Sequence, residues 1–181
     1  MATMDGAALQ RWVTEHVDHI FAFMDYEPTI EEADEVKSTL GYWLDNHEWA
    51  SDDEFLHLGI DGTGSQFLVW KRASDQQAPV VFFGSEGGLG VLTATPAAFA
   101  QALAHRPWVD GYEEPASLTD NEGDDLDEDE AAEADKALAT YKAAVEDRFG
   151  PLPSLAELTA GVDALNQELR AWVAERSPHF S

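Results

Sequence analysis

Residues recur at three- and four-residue steps near the N-terminus: Leu9, Trp12, Val13, His16, Val17, Ile20, Phe21 and Met24. All but His16 are apolar. This spacing predicts an amphipathic helix from about Asp5 to Met24 with one face turned to a core. Pro28 ends the pattern. Thr29-Ile30-Glu31-Glu32 reads as a capping box, with Thr29 as N-cap and Glu32 at N3. It predicts a second helix from about Ile30 to Asn46, burying Val36, Leu40, Trp43 and Leu44.

The pattern then shifts to strands. Glu54–Ile60 is a first candidate, and Asp61-Gly62-Thr63-Gly64 is a turn whose residues tolerate positive φ. Ser65–Arg72 alternates, with Phe67 and Val69 on one face and Leu68 and Trp70 on the other. Pro79–Phe83 is continuously apolar, as expected of a central strand covered on both sides. Gly84–Gly90 is the next turn, and Val91–Ala94 a short fourth strand. Thr95-Pro96 pairs an N-cap with proline at N1 and predicts a helix to about Ala104, anchored by Phe99 and Leu103. Residues 106–120 read as an irregular linker, with Trp108 and Tyr112 expected to pin it to the body.

The C-terminal third predicts two long helices. One runs from about Glu130 to Phe149 with the seam Ala134, Leu138, Tyr141, Val145 and Phe149. Gly150-Pro151-Leu152-Pro153 interrupts. Ser154-Leu155-Ala156-Glu157 is a second capping box, and the seam Leu155, Leu158, Val162, Leu165, Leu169 and Trp172 predicts a helix to about Arg176. The pair reads as an αα-hairpin on the body. The expected fold class is α+β: a mainly antiparallel sheet of about four or more strands, flanked by helices, with a C-terminal helical hairpin. The expected organisation is an α+β domain over 1–115, and an acidic segment plus hairpin over 116–181, packed on the same domain.

Charge changes this picture most. Among 181 residues, 36 Asp and Glu face 10 Lys and Arg, for a formal net charge of -26. Such a field disfavours nucleic-acid phosphates and anionic membranes, and favours and steers a basic partner. The competing reading is solubility, or adaptation to a salty cytoplasm. The acids concentrate over Asp120–Asp135, which holds no basic residue; such blocks are usually solvated. With 44% hydrophobic residues the chain can bury a sizeable core. The absence of cysteine excludes disulfides, thiolate zinc sites and cysteine nucleophiles. No secretory signal is visible over Met1–Leu9, and no apolar run approaches the ~20 residues needed to cross a bilayer. The expectation is a cytoplasmic protein, monomer or homodimer.

Candidate chemistry is sparse. Gly84-Ser85-Glu86-Gly87 follows a strand, where a nucleophilic serine would sit. It is one residue short of the Gly-x-Ser-x-Gly elbow, and a structural turn is the simpler reading. The same glycines lack the lysine of a phosphate cradle, and Glu86 would repel phosphate. His16 and His19 stand one helical turn apart, as metal ligands can, but His16 lies on the apolar face and His19 points elsewhere. An EF-hand begun at Asp120 places its glycine at the fourth position instead of the sixth, and one begun at Asp61 lacks the acidic ladder. Weak, nonspecific calcium binding is all the block suggests. Carboxylate pairs for glycoside chemistry find no defined partners among Trp70, Trp108 and Tyr112. No catalytic, cofactor or metal residue is assigned, and the chain reads as a non-enzyme.

Asp61-Gly62-Thr63-Gly64, Trp70, Pro79-Val80-Val81 and Gly84-Ser85-Glu86-Gly87 together resemble the SUKH superfamily, the Smi/Knr-like group common among bacterial immunity proteins of contact-dependent toxin systems. Leu89–Leu103 is similar to its short strand followed by a helix carrying Phe-x-x-x-Leu. The resemblance covers the middle third of the chain. The Pro-x-x-(Tyr/Phe) segment and Asn-Gly pair of many members have no equivalent in Tyr42–Asp53. The resemblance implies a twisted central sheet flanked by helices. It also implies binding instead of catalysis: neutralisation of a cognate toxin, often a nuclease, by occlusion. An acidic protein would compete for the cationic surface of a nuclease. The candidate contacts are Asp61, Glu86, Asp124, Asp125, Asp127, Glu128, Asp129 and Glu130, with aromatic residues in the patch as hot spots. The alternative function is an intracellular scaffold or regulatory adaptor of the same fold. A hydrolase using Ser85 or a carboxylate pair is the reading from another class.

Overall fold

The computed structural model describes residues 4–29, 33–46, 54–71, 78–111, 115–121 and 126–177. Three helices, α1 (Gly6–Glu15), α2 (Val17–Phe23) and α3 (Ala33–Trp43), precede four strands, β1 (Phe55–Ile60), β2 (Gln66–Trp70), β3 (Val80–Phe83) and β4 (Leu89–Thr93). Helix α4 (Pro96–Leu103) follows, then the short strands β5 (Trp108–Asp110) and β6 (Ser117–Thr119). Helices α5 (Glu128–Phe149), α6 (Leu155–Leu158) and α7 (Asp163–Arg176) complete the chain. The strands β1–β4 form an antiparallel meander in sequence order, and β5–β6 a separate two-stranded ribbon. The α+β class is as the sequence predicts.

Strands β2, β3 and β4 are buried at every residue. Because side chains alternate along a strand, each face of the sheet carries its own core. Phe67, Val69, Val80, Phe82 and Leu92 enter one apolar cluster together with residues of α1, α2, α4, α5 and α6. Leu68, Trp70, Val81, Phe83, Leu89 and Val91 enter the other, covered by α3 and α7. The alternation predicted for β2 is therefore the alternation observed. Both clusters draw on residues from either side of position 115.

This two-sided burial decides where the C-terminal helices go. Tyr141 and Val145 of α5 are fully buried in the first cluster, where α5 packs along α2. Leu169 and Trp172 of α7 lie in the second cluster, where α7 packs on β4. The α5 seam keeps Ala134, Tyr141 and Val145 in the first cluster, but the second predicted seam divides: Leu155 and Leu158 join that first cluster, and Leu165, Leu169 and Trp172 join the second. The expected hairpin is thus opened, with one helix on each face. The last helix is also shorter than predicted: α6 ends at Leu158, Gly161 takes φ 77°, and α7 starts afresh at Asp163.

Caps set several boundaries. Thr95 caps α4 through a 3.2 Å bond from the Ala98 N–H, with Pro96 in the first turn. The Ser154–Glu157 capping box is present, and its hydrogen bonds hold the exposed Glu157 carboxyl below its usual range. The Thr29 box falls partly on 30–32, outside the described residues. The first predicted helix is broken at His16, whose Nδ1–H donates to the Trp12 carbonyl at 2.8 Å. A side chain bonding into the helical ladder is a recognised cause of kinks. The linker expected over 106–120 holds the β5–β6 ribbon, since Trp108–Asp110 and Ser117–Thr119 pair directly.

Both edges of the four-stranded sheet are partly covered. On β1, the carbonyls of His57, Leu58 and Ile60 accept from the Gln10 side chain, the Tyr26 hydroxyl and the Glu27 N–H. On β4, the Val91 N–H donates to Asn166 Oδ1 at 2.7 Å, and the Leu89 carbonyl accepts from Ala116 N–H at 2.9 Å. Exposed edges invite pairing with other chains, and these partners hinder it. The β1 edge needs Gly59 at its bulge, because a Cβ there would meet the Glu27 carbonyl and the Tyr26 ring. Gly59→Ala is therefore expected to destabilise the protein by about 1–3 kcal/mol, read as a lowered midpoint of urea unfolding.

Two buried phenols add a pH dependence. The Tyr26 hydroxyl donates to the Leu58 carbonyl, and Tyr141 donates to the Ala100 carbonyl while accepting from Trp12 Nε1. Burial pushes both phenols above their ordinary value. The folded state therefore holds protons that the unfolded chain releases near pH ~10. Their contribution is complete below that pH and is lost as pH rises through the folded-state values. Urea midpoints measured from pH 8 to 11 should fall above pH ~10. Tyr141→Phe should flatten that fall, while costing about 1–3 kcal/mol at neutral pH through the partners it strands.

Candidate partner-binding surface

The turns β1–β2 and β3–β4 lie at the same end of the sheet and are tied together by hydroxyl groups. Asp61 Oδ1 accepts from the Thr63 N–H at 2.9 Å, the Thr63 hydroxyl at 2.7 Å and the Ser65 N–H at 2.9 Å. An aspartate bonding its own turn in this way fixes the loop without a regular ladder. Ser65 Oγ in turn accepts from the Ser85 N–H at 3.1 Å, and Ser85 Oγ donates to Thr63 Oγ1 at 3.0 Å. The Trp43 indole N–H reaches the Gly84 carbonyl at 2.9 Å. The serine considered as a nucleophile thus directs its proton to a threonine hydroxyl, and its backbone braces the neighbouring turn.

Between these turns and the β5 strand lies a cleft of about 120 Å³. Asp25, Asp61 and Glu86 line it together with Met24 and Trp108. Two of the predicted contact residues, Asp61 and Glu86, are therefore brought together. Asp25 joins them by accepting from the Gly62 N–H at 3.1 Å. The sequence offered no sign of that third acid, because it comes from the far end of α2.

The remaining predicted acids divide. Asp124 and Asp125 lie outside the described residues. Asp127 is the N-cap of α5: one of its oxygens accepts from the Asp129 and Glu130 N–H groups, and Glu130 returns a bond to the Asp127 N–H. The helix therefore starts two residues earlier than predicted. Carboxylates there also face the positive end of the helix dipole. Glu128 and Asp129 stand exposed on the same turn. Asp127 through Glu130 thus combine a local structural task with an outward negative charge.

The aromatic residues are distributed unlike the prediction. Trp70 is buried in the core, and Tyr112 lies outside the described residues. Phe21, read as part of the buried stripe, is 62% exposed, and Trp108, read as a pin, is 53% exposed. Neighbouring helical residues differ by about 100° in direction, so burying Ile20 turns Phe21 aside. Leu126, 39% exposed, lies close by. All three line one shallow groove of about 350 Å³, which shares Met24, Asp25, Pro107 and Trp108 with the cleft between the turns. At its other end Phe21 and Leu126 also line a depression of about 530 Å³ rimmed by Asp18, Glu27, Glu130 and Glu133. An apolar strip thus runs between two acidic ends.

The rings of His16 and His19 lie 6.3 Å apart, centroid to centroid. The carbonyl of Trp12 occupies His16 Nδ1, and the His16 ring stacks on the Trp12 indole with centroids 4.2 Å apart. Among the described residues, no group of three or more His, Asp or Glu is arranged to hold a metal ion. No described helix is long and apolar enough to cross a membrane. Comparison of the chain with family models, curated proteins and solved structures returns no match.

The dual use of the α5 acids can be separated experimentally. Asp127→Ala should cost about 1 kcal/mol of stability through the lost cap. Asp127→Asn, which keeps an acceptor at the N-cap, should restore most of it while still removing the charge. Thermal unfolding of the two variants at one salt concentration checks this.

Proposed function

We propose that this chain is a binding protein of the SUKH type, an immunity protein that neutralises a basic bacterial toxin by covering its working surface. The observation that carries this reading is the surface just described: exposed apolar side chains flanked at both ends by carboxylates. A net charge of -26 adds a long-range field. It would raise the encounter rate with a cationic protein, while the apolar contacts would set how long the complex lasts. A toxin that grips nucleic-acid phosphates presents the complementary charge. The covered edges of the four-stranded sheet favour contact through side chains and turns over strand addition there. The glycine-rich turns carry the architecture, and no step of bond making or breaking is required of Ser85.

The test is protection by co-expression. Cells producing a cationic toxin encoded beside this gene should survive when the chain is present. The purified pair should form one tight complex whose association rate falls steeply between 50 and 500 mM salt. Replacing Glu128, Asp129 and Glu133 with their amides spares the Asp127–Glu130 cap. It should slow association several-fold and change dissociation little. Absence of protection, with no basic protein copurifying, overturns the proposal. Several weak partners in place of one tight one would mark a scaffold or adaptor.

A further inference from the structure

The acids draw a partner in, but an acidic field does not by itself choose one. The groove between the acidic ends supplies a second element. Phe21, Trp108 and Leu126 are three of the four large apolar side chains that are prominently exposed among the described residues, and all three line this groove. Exposed large apolar groups that gather in one place and are rimmed by polar residues mark a docking surface more often than scattered ones do. The hydrogen bonds around them hold the walls in place: Asp25 ties the end of α2 to the Gly62 N–H, and β5 is paired along its length with β6.

We infer that this groove is the docking site for a cationic polypeptide segment that carries apolar anchor side chains, with Phe21, Trp108 and Leu126 as the hot spots and the acidic ends as guides. The inference rests on the binding-protein reading above and specifies its site and the chemistry of its partner. Charge selects the occupant. Among the described residues, the groove and its two ends are lined by Asp18, Asp25, Glu27, Asp61, Glu86, Glu130 and Glu133, against the single basic residue Arg106. A second copy of this chain would bring another -26 to the same place. That copy is repelled where a lysine- or arginine-bearing segment is attracted. An aromatic or aliphatic anchor from that segment would lie against Phe21 and Leu126, and a cation beside it against the Trp108 indole.

The experiment uses three synthetic peptides of equal length, titrated into the full chain at 0.15 M salt with amide chemical shifts as the readout. One peptide alternates lysine with leucine, one lysine with glycine and serine, and one glutamate with leucine. The lysine–leucine peptide should bind at least about tenfold more tightly than the lysine–glycine–serine peptide, and the glutamate–leucine peptide should not bind. Trp108→Ala and Phe21→Ala should each weaken the lysine–leucine peptide by about tenfold; Phe21→Ala should leave the lysine–glycine–serine peptide unchanged, and Trp108→Ala should weaken it only by the lost cation–indole contact, about two- to fivefold. Both positions are more than half exposed, so thermal unfolding should change little. Equal binding of the two lysine peptides overturns the inference, as does an unaltered affinity in both variants. Sedimentation of the chain alone is the remaining arm: a dimer abolished by Trp108→Ala would assign the groove to self-association and overturn it. Toxin protection that survives Trp108→Ala and Phe21→Ala would refute this site and leave the proposed function standing. Loss of peptide binding and protection together, in folded variants, supports both.

Discussion

Burial of the central strands on both faces is the constraint on which the rest of the structure depends. Each residue of β2, β3 and β4 is buried, whichever side of the sheet it points to. A sheet with two apolar faces is stable only when both are covered, and each large side chain removed from water contributes roughly 1.5–3 kcal/mol. The helices divide accordingly. Helices α1, α2, α4, α5 and α6 take one face, and α3 and α7 take the other. The chain therefore wraps its sheet, and its C-terminal helices cannot satisfy each other without uncovering a face.

The same wrapping partly covers the edges of the four-stranded sheet. Side chains and backbone from α1, the segment after α2, Ala116 just before β6, and α7 occupy outward groups of β1 and β4. Some of those contacts are polar groups that would be costly to bury unpaired. Asn166 is buried on α7, and its oxygen is used by the Val91 N–H. His57 is buried beside Gln66, with Nε2 and Oε1 2.7 Å apart. Among the described residues none of the buried polar side chains is a carboxylate. The charge of the described carboxylates thus lies outside the core, where water and salt screen it. It shapes what approaches the molecule and does little to hold the core together.

The glycine-rich segment around Ser85 has an architectural task. Ser85 braces the first turn through Thr63 and Ser65, while Asp61 organises that turn from within. The exposed groups most suited to contact lie next to these turns, on α2, β5 and the start of α5. They come from three distant stretches of sequence. A hydroxyl network that holds two loops in register gives such a surface a fixed shape, and a preformed surface loses less entropy when it binds.

The sequence alone determined the elements whose signal is local. Alternation placed Phe67 and Leu68 on opposite faces of β2, the continuous run Pro79–Phe83 announced a covered central strand, and Thr95-Pro96 and Ser154–Glu157 marked helix starts. These follow from side-chain period and from capping hydrogen bonds between near neighbours. The acidic excess was also legible, since charge needs only counting. What only the tertiary structure decided is which apolar seam meets which surface. The seams of α5 and α7 look alike in sequence, and either could have paired with the other; a two-faced sheet separated them. Phe21 and Trp108 likewise read as core, because periodicity reports that a residue is apolar and not whether a neighbour arrives to cover it. Asp25 joins Asp61 and Glu86 only because folding brings the end of α2 beside two turns, a proximity with no trace in local spacing.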